Sequence, residues 1–339
     1  MKEFVVSKNE ANQRFDKYLQ KRLKEAPKSF IYKMLRKKNI TLNGKKALGD
    51  EKLAEGDMIR FFLADETFEK FAGNTPSIHF PVSPSLKVIY EDNNVIFFNK
   101  PVGMLSQKAK PEDISANEYM LGYLLKNGAI TNESLQTFKP AICNRLDRNT
   151  SGLLIGGKSL AGLQQMSSVF RDRSLEKYYL ALVAGTIEKA AYLKGYLVKN
   201  ASENKVMIYQ KPVEGAAFVE TAYEPLAYNA DITLLKVHLI SGKPHQIRAH
   251  LSSISHPVIG DVKYGFAGLN RRYKEKMHIT SQQLHAYEVI LPKMQPPLEG
   301  LSGKCYKAVP PKKFLKLLEE TKWEHGTQEV FEVLHLKNL

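Results

Sequence analysis

The chain has 339 residues, of which 43% are hydrophobic, and 50 Lys and Arg residues against 35 Asp and Glu residues give a net charge of +15. This length and composition can build a sizeable core and favour two domains, while the charge favours a polyanionic partner. No apolar run approaches the ~18 residues of a membrane span, and the pair Cys143 and Cys305 excludes a disulfide framework. We therefore expect a cytoplasmic protein.

Residues 1–65 are predicted to form a small basic module. Phe15, Leu19 and Leu23 recur at helical spacing and indicate a first amphipathic helix. Ser29 is expected to cap a second helix, because a Ser side chain can accept a hydrogen bond from the first turn. Lysines and arginines occupy the remaining circumference of both helices.

A hairpin is predicted after the second helix, because Asn43 and Gly44 accept the positive φ of a tight two-residue turn, and a further strand is expected over 58–63. Two basic helices followed by such a hairpin resemble the S4 RNA-binding domain. The resemblance implies a phosphate-facing patch of six residues: Lys33, Arg36, Lys37, Lys38, Lys45 and Lys46. The alternative is a small helical cap with a solvated charged face.

Residues 66–85 are predicted to be a linker, because they contain Gly and Pro residues and little periodicity. A second domain is predicted over 86–325. It begins with two β-rich runs, 86–90 and 95–98, that favour a hairpin. The last segment, 326–339, is expected to be a C-terminal tail.

The stretch 144–152 reads Asn-Arg-Leu-Asp-Arg-Asn-Thr-Ser-Gly and lies between two short apolar runs. Asp147 is therefore expected to project from an ordered turn between buried strands, where the neighbouring arginines favour its ionised form. A carboxylate fixed in this way can act as a nucleophile. The alternative is a structural knot of ion pairs at a strand end.

Strands dominate the predicted structure over 177–240, and in the first of them Tyr179 shares one face with every second residue. A helix that Pro244 can start is expected to bring His245 and Arg248 to one face, because they are three residues apart. Helices packed on a predominantly antiparallel mixed sheet make the second domain α+β, beside the small αα-β module.

Several segments resemble, in chain order, the motifs of the RluA family of RNA pseudouridine synthases. They are 100–103, 144–152, 177–185, 242–251, 256–265 and 284–286, and the resemblance covers roughly residues 86 to 320. It implies an enzyme that isomerises uridine in RNA, most like those acting on large-subunit ribosomal RNA. Asp147 would be the essential carboxylate and Arg248 its partner. Tyr179 would be the ring that stacks on a flipped uracil, with its hydroxyl near C5, where a proton must leave after rejoining.

The same resemblance implies further roles around the site. Arg145 would fill the space left by the flipped nucleotide or contact a phosphate, and His245 would contact RNA. The reaction breaks the N1 glycosidic bond and rejoins the sugar through C5 without a redox step, so no cofactor is expected. The histidine spacing does not match a zinc motif. Asn144 stands where family members often carry His, a variation with consequences for RNA binding only.

Three alternatives stay open at this stage. The first alternative is a non-catalytic RNA-binding or ribosome-assembly protein on a degenerate synthase fold, and the second is a synthase directed to tRNA. The third is a hydrolase that uses Asp147, but the sequence offers no convincing second carboxylate for it. Target choice is expected to depend on RNA shape and on flexible insertions such as 107–137. We expect RNA as the partner, no membrane, and a monomer.

Overall fold

The computed structural model describes residues 1–73, 79–200 and 205–335. The N-terminal part contains six described elements: β1 (Lys2–Val5), α1 (Phe15–Arg22), α2 (Lys28–Arg36), β2 (Ile40–Leu42), β3 (Met58–Phe61) and α3 (Asp65–Ala72). The strands form an antiparallel sheet in the order β1-β3-β2. Apolar side chains from these elements form one buried cluster, so this part of the chain has its own core.

The predicted helices and hairpin of the N-terminal part are present, with one correction at a helix start. Asn43 and Gly44 have positive φ values of 51° and 73° in the tight turn after β2. Ser29 is not a cap, because α2 already begins at Lys28. The cap position belongs to Pro27, whose ring fixes φ near the observed −63° without any side-chain hydrogen bond.

The linker predicted over 66–85 is wrong at its N-terminal end, where the chain forms α3. Phe68 of this helix is 7% exposed and packs against the rings of Phe4 and Phe61. The Gly and Pro residues that indicated a linker follow the helix and do not interrupt it. Residues 74–78 of the predicted linker lie outside the described residues.

The larger part of the chain forms a second set of elements. Its described strands are β4 (Lys87–Glu91), β5 (Val95–Lys100), β6 (Ala141–Ile142), β7 (Ser151–Gly157), β8 (Glu176–Ala184), β9 (Ala191–Asn200), β10 (Lys205–Tyr209), β11 (Ala217–Tyr228), β12 (Ile232–Leu239), β13 (Leu284–Ile290) and β14 (Cys305–Lys307). Its described helices are α4 (Ala116–Lys126), α5 (Ser134–Thr137), α6 (Leu160–Arg171), α7 (Gln246–Ser253), α8 (Ala267–Met277), α9 (Lys312–Glu320) and α10 (Thr327–His335).

One large sheet organises this part, in the order β10-β9-β11-β12-β8-β13-β7-β5-β4, with β6 paired to β7 and β14 to β13. The pair β7 and β13 is parallel, and the other described pairs are antiparallel. The expected α+β domain with a mixed, predominantly antiparallel sheet is confirmed. None of the described helices combines the length and the apolar character needed to cross a membrane.

The two faces of the sheet carry separate cores, as the alternation along β8 predicted. On one face, Tyr179 and Val183 belong to a cluster that includes residues of α4 and α7. On the other face, Leu180 and Leu182 pack in a cluster with residues of α9 and α10. The sheet therefore forms the middle layer, and α7 is held against the face that carries Tyr179.

A close approach of backbones fixes the place of β7. Gly152 lies opposite Ala286 in the parallel pair of β7 and β13, and its φ is 111°. A Cβ at this position would come within 2.1 Å of the carbonyl oxygen of Ala286. Glycine is therefore required for β7, which follows the Asp147 turn, to lie against β13.

The tail predicted for 326–339 is wrong for most of its length, because α10 occupies it. Val330 and Val333 are 3% and 4% exposed in the cluster shared with α9. Helical spacing of these two valines gives α10 one apolar stripe, which the sheet and α9 bury. Residues 336–339 lie outside the described residues.

The insertion 107–137, expected to be flexible, contains a helix that packs into the core, while the residues on either side of that helix are mostly exposed. This helix is α4, whose Met120 and Leu124 are fully buried against the sheet. Ser115 begins this helix, and both its backbone N–H and its hydroxyl donate to the carboxylate of Glu118. The insertion therefore supplies a structural helix.

The N-terminal part contacts the larger domain through polar groups. Arg22, only 6% exposed, forms ion pairs with Glu10 at 3.1 Å and with Glu133 of the insertion at 3.4 Å. The backbone N–H of Leu160, at the start of α6, donates to the side chain of Asn9 at 3.3 Å. These contacts join the two parts at α5 and α6.

Candidate active site

A cleft of about 780 Å³ opens on the sheet face that carries Tyr179. Its walls come from the turn after β6, from the C-terminal end of α6 and the start of β8, and from residues 242–248. Segments far apart in sequence therefore meet here, and the cleft contains Asp147, Tyr179, Arg145, His245 and Arg248 together.

Asp147 projects from an ordered turn between β6 and β7, as predicted. The backbone N–H of Thr150 donates to the carbonyl of Asp147 at 3.0 Å and closes the turn. Ser106 anchors the preceding residue, because its hydroxyl accepts from the N–H of Leu146 at 2.9 Å and donates to its carbonyl at 2.8 Å. The Asp147 carboxylate, with 25% of its side chain exposed, reaches into the cleft from this fixed backbone.

Arg248 joins two carboxylates. Its Nη1 lies 2.8 Å from Oδ2 of Asp147, while Nε and Nη2 donate to Asp261 at 2.6 and 2.8 Å. Burial disfavours the charged guanidinium, but the hydrogen bonds and charges of Asp261 and Asp147 outweigh this effect and raise the pKa of Arg248. The bidentate bond to Asp261 fixes the plane of the guanidinium, which then fixes Asp147.

Asp261 is fully buried and was not identified from the sequence as a site residue. The backbone N–H groups of Lys263 and Tyr264 also donate to its Oδ1, at 2.9 and 3.2 Å. Asp261 lies in segment 256–265, which resembles a family motif, and this resemblance was the only feature of the sequence that pointed to it. The pairing with Arg248 spans a helix and a loop, so sequence spacing does not reveal it.

His245 lies in the cleft, but not by the predicted helix geometry. Its φ of 55° places it at the cap of α7, and Pro244 belongs to a turn that precedes the helix. Nδ1 of His245 lies 3.0 Å from the hydroxyl of Tyr264, and Nε2 lies 4.0 Å from Asp147. Burial lowers the pKa of His245, although the charge of Asp147 opposes this shift.

Tyr179 presents its ring to the cleft and is 8% exposed. Within the described part of the chain its hydroxyl has no hydrogen-bond partner. Burial, and after it the negative charge of Asp147, raises the pKa of this phenol. Tyr179 is therefore a neutral ring near the carboxylate at physiological pH.

Lys100 supports the Asp147 turn through backbone contacts. It was not identified from the sequence as a site residue. It is fully buried at the end of β5, and its ammonium donates to the carbonyls of Pro101, Met104 and Arg148 at 3.0, 2.8 and 3.1 Å. Burial lowers the pKa of Lys100 to about 7. Three carbonyl contacts tie the segment after β5 to the residue that follows Asp147.

The arginines beside Asp147 in the sequence do not form the alternative ion-pair knot with it. Among the described residues, Asp147 forms no ion pair with Arg145 or Arg148. Arg145 is exposed on the cleft, whereas Arg148 donates to the carbonyl of Gly103 at 3.0 Å. Asn144 lines the cleft and its side chain is bonded to β7: its Oδ1 accepts from the N–H of Ile155 at 2.8 Å, and its Nδ2 donates to the carbonyl of Leu153 at 3.2 Å.

The six basic residues predicted in the N-terminal part do not meet the other site residues. All are exposed, on α2, on the turn that follows it and on the β2 hairpin, and none lines the cleft: Lys33, Arg36, Lys37, Lys38, Lys45 and Lys46. They form a separate basic surface, and we refer to them as the α2 patch.

Two further histidines are buried near the site but serve the fold. His250 lies 2.8 Å from the hydroxyl of Thr221, and His285 bonds to Ser151 at 2.8 Å and to the carbonyl of Ala308 at 3.0 Å. Burial lowers the pKa of each histidine to about 4. Across residues 1–73, 79–200 and 205–335, no group of three or more His, Cys, Asp or Glu side chains is arranged to hold a metal ion.

Comparison with known proteins identifies the class to which this fold belongs. The structure is similar to that of human RNA Pseudouridylate Synthase Domain Containing 1, with a TM-score of 0.55 and 20% identity over 75% of this chain and 97% of that chain. The family model for RNA pseudouridylate synthase matches residues 94–253, which include the Asp147 turn, β8 and α7.

Proteins with similar sequences show to which family of RNA pseudouridine synthases the chain belongs. The chain is 33% identical to an uncharacterized RNA pseudouridine synthase of Mycoplasma genitalium, over 86% of this chain and 90% of that protein. It is 32% identical to ribosomal large subunit pseudouridine synthase C of Vibrio vulnificus, over 77% of this chain and 79% of that protein. The chain belongs to the RluA family of RNA pseudouridine synthases, and the prediction of such an enzyme is confirmed.

Proposed function

We propose that this enzyme converts specific uridines of large-subunit ribosomal RNA to pseudouridine, with Asp147 as the essential carboxylate. The observation that carries the proposal is the chain of contacts from Asp261 through Arg248 to Asp147, beside the ring of Tyr179. Relatives named as ribosomal large subunit pseudouridine synthase C support the choice of ribosomal RNA.

The reaction needs few groups because it is an isomerisation. The bond between C1′ of the ribose and N1 of uracil breaks, the retained base turns, and C1′ bonds to C5. The proton on C5 leaves, and N1 gains one, so the atoms of the product equal those of the substrate. No external donor or oxidant enters this balance, and the proposal therefore includes no cofactor.

Asp147 and Arg248 would act as one unit. The bond from Arg248 would fix the rotamer of the carboxylate, because the guanidinium is itself held by Asp261. A fixed carboxylate can attack the sugar or the base, or remove a sugar proton, and each of these routes begins from the same ionised group.

Tyr179 would stack on the uracil. The phenol is neutral at neutral pH, which suits stacking on a base, and its hydroxyl would lie near C5, where a proton must leave after C1′ rejoins. The Asp147 carboxylate, whose charge acts on Tyr179, is the acceptor available beside it.

Access to Asp147 requires a uridine turned out of its stack, which costs a few kcal/mol. Arg145 is exposed on the cleft and would fill the vacated space or hold the displaced strand. His245, whose Nε2 lies 4.0 Å from Asp147, would contact the RNA near the flipped nucleotide.

The proposal extends to the N-terminal part as an S4-type RNA-binding domain in a monomeric, cytoplasmic enzyme. Exposure of all six residues of the α2 patch supports it. Contacts to phosphates by such a patch would add affinity with little sequence information.

Replacing Asp147 with Asn tests the chemistry. Asp147→Asn should lose pseudouridine formation by at least about a thousandfold while RNA affinity stays unchanged, since only the charge of the carboxylate is removed. Asp50→Asn, at an exposed carboxylate outside the cleft, is the matched control and should keep full activity. Normal turnover by Asp147→Asn would remove Asp147 from the mechanism.

The substrate is tested by pseudouridine mapping of total RNA, using carbodiimide-dependent reverse-transcription stops. Cells lacking the gene should lose one or a few large-subunit sites, and the wild-type gene but not Asp147→Asn should restore them. Loss confined to tRNA would replace the proposed substrate. An unchanged map, together with an inactive purified enzyme, would refute the proposed function.

A further inference from the structure

Lys177 is a buried cation in the cleft that the reaction described above does not use. It lies at the start of β8 with 8% of its surface exposed, and it lines the cleft. No hydrogen bond or ion pair connects its ammonium group to any residue within 1–73, 79–200 or 205–335. A buried ammonium group without such a contact can bind an anionic ligand that enters the cleft.

The other buried cations of the site show what Lys177 lacks. Arg248 is neutralised by two carboxylates, and the ammonium of Lys100 donates to three carbonyl oxygens. An unpaired buried charge is unfavourable, so proteins rarely retain one without a compensating group. The compensating group for Lys177 is therefore an anion that enters the cleft.

A second cation stands beside Lys177. Arg173 lies in the turn between α6 and β8, lines the same cleft, and makes no ion pair within the described chain. Burial first, and the positive charge of Arg173 next, lowers the pKa of Lys177. Two like charges that repel each other in this way would be stabilised together by one anion.

Arg173 lies in a tight turn with a strained backbone. Its φ is 65°, a left-handed conformation that is unfavourable for a residue with a Cβ. Asp172 holds the turn, because its carboxylate accepts from the N–H of Ser174 at 3.0 Å and from its hydroxyl at 2.6 Å. The turn thus keeps Arg173 at the cleft.

We infer that Lys177 and Arg173 form a phosphate subsite for the RNA strand next to the flipped uridine, an inference that rests on the proposed function for its ligand. Lys177 and Tyr179 lie two residues apart on the same face of β8, about 6.6 Å along the strand. The subsite and the stacking ring are therefore separated by the scale of one nucleotide. Phosphate is the anion that RNA brings to such a position.

The test replaces Lys177 with Met, which has an unbranched side chain of similar length and no charge. Binding of a fluorescein-labelled 12-residue oligouridylate is followed by fluorescence anisotropy between 50 and 300 mM KCl. Lys177→Met should weaken binding about tenfold at the lowest salt and reduce the log-log salt slope by about 0.7, the value for one phosphate. Arg173→Gln should reduce the slope in the same direction.

Lys199→Met, at an exposed lysine of β9 outside the cleft, is the matched control and should bind like the wild type. Thermal unfolding separates binding from a structural role: a phosphate ligand predicts that Lys177→Met has an unchanged or higher Tm, because it removes an unpaired buried charge. A wild-type salt slope, or a Tm lower by several degrees, would overturn the inference.

Turnover on ribosomal RNA then distinguishes this inference from the proposed function. Lys177→Met should raise KM while kcat stays within about threefold, since loss of uniform binding affects KM. If no RNA is modified but the anisotropy changes appear, the subsite stands and the proposed function fails. If RNA is modified and both the salt slope and KM of Lys177→Met are those of the wild type, the subsite alone fails.

Discussion

Asp261 positions the guanidinium that holds Asp147, although it does not touch Asp147 itself. It occupies two of the donors of Arg248, which leaves Nη1 for Asp147. With Asp261 fully buried and Arg248 nearly so, neither charge can turn to water. Loss of one partner therefore leaves the other uncompensated, which is the expensive case for a buried ion pair.

We predict that Asp261→Asn lowers the free energy of unfolding by about 3 to 5 kcal/mol, because the buried guanidinium loses a charged partner. Residual folded enzyme should form pseudouridine about a hundredfold more slowly, because Asp147 is no longer held in place. Urea unfolding and single-turnover assays measure the two effects.

The matched control is Asp231→Asn, which removes an exposed carboxylate paired with Arg272 at 3.2 Å. Its effect on the free energy of unfolding should stay within about 1 kcal/mol, as for other surface pairs. Equal losses of stability in the two variants would show that Asp261 has no special role.

Residue types and motif order predicted Asp147, Tyr179 and Arg248, and the structure brings all three to one cleft. The supporting residues could not be found in this way. Lys100 and Asp261 act on groups 48 and 13 residues away, through backbone carbonyls or across a loop. Contacts of this kind follow from the tertiary path of the chain and not from any local pattern.

At the scale of elements, α2 carries a basic surface that the fold leaves unused. Its apolar residues Ile31, Met34 and Leu35 are buried in the N-terminal core, so the charged residues between them must face outward. An exposed stripe of cations is suited to phosphates because the cost of desolvation is small.

We predict that replacing Lys33 and Arg36 of α2 and Lys37 just after it, all three with Gln, reduces the salt slope of oligouridylate binding by about 2, or about 0.7 for each phosphate that is no longer neutralised. Tm should stay the same, because Gln has a similar helix propensity and the three side chains are exposed. Anisotropy titrations over a range of KCl concentrations measure the slope.

The same change in three exposed lysines of α9, Lys312, Lys313 and Lys316, is the control for total charge. It should leave most of the salt slope in place. If both triple variants lose the same slope, general charge explains the binding and the S4-type assignment of α2 fails.

The sequence predicted which helices and strands form better than it predicted the boundaries of the linker and the tail. Helical spacing in α1 and alternation on β8 were sufficient, because α1 buries one regular face and β8 sends alternate side chains into the two cores. The predicted boundaries were wrong at two short helices. The helix α3 occupies the start of the proposed linker, and α10 occupies most of the proposed C-terminal tail. Their few apolar residues, such as Phe68 and Val330, indicate burial only when the surface that covers them is known.

At the scale of the whole molecule, two buried histidines couple folding to pH. Burial lowers the pKa of His250 and His285 to about 4, from an ordinary value of 6.5. Between these values the unfolded chain binds a proton at each site that the folded chain does not. Stability therefore rises with pH across this window and is lost as pH falls from about 6.5 towards 4.

We predict that His250→Asn, whose amide can keep the bond to Thr221, removes one of these titrations. Between pH 7 and pH 5 the variant should lose about 2 kcal/mol less free energy of unfolding than the wild type. Urea unfolding at several pH values gives the comparison. His325→Asn, at an exposed histidine, should follow the wild-type curve, and a matching curve for His250→Asn would refute the prediction.

Gly152 sets a limit on how variants of this enzyme can be interpreted. Even alanine there would collide with the backbone of β13 and demand an unfavourable φ, so it would displace the strand that follows Asp147. A variant of Gly152 would then be as inactive as the one expected for Asp147→Asn, although Gly152 has no side chain that could contact a substrate. Loss of activity alone therefore does not identify chemistry near this turn, and a folding measurement must accompany each inactive variant.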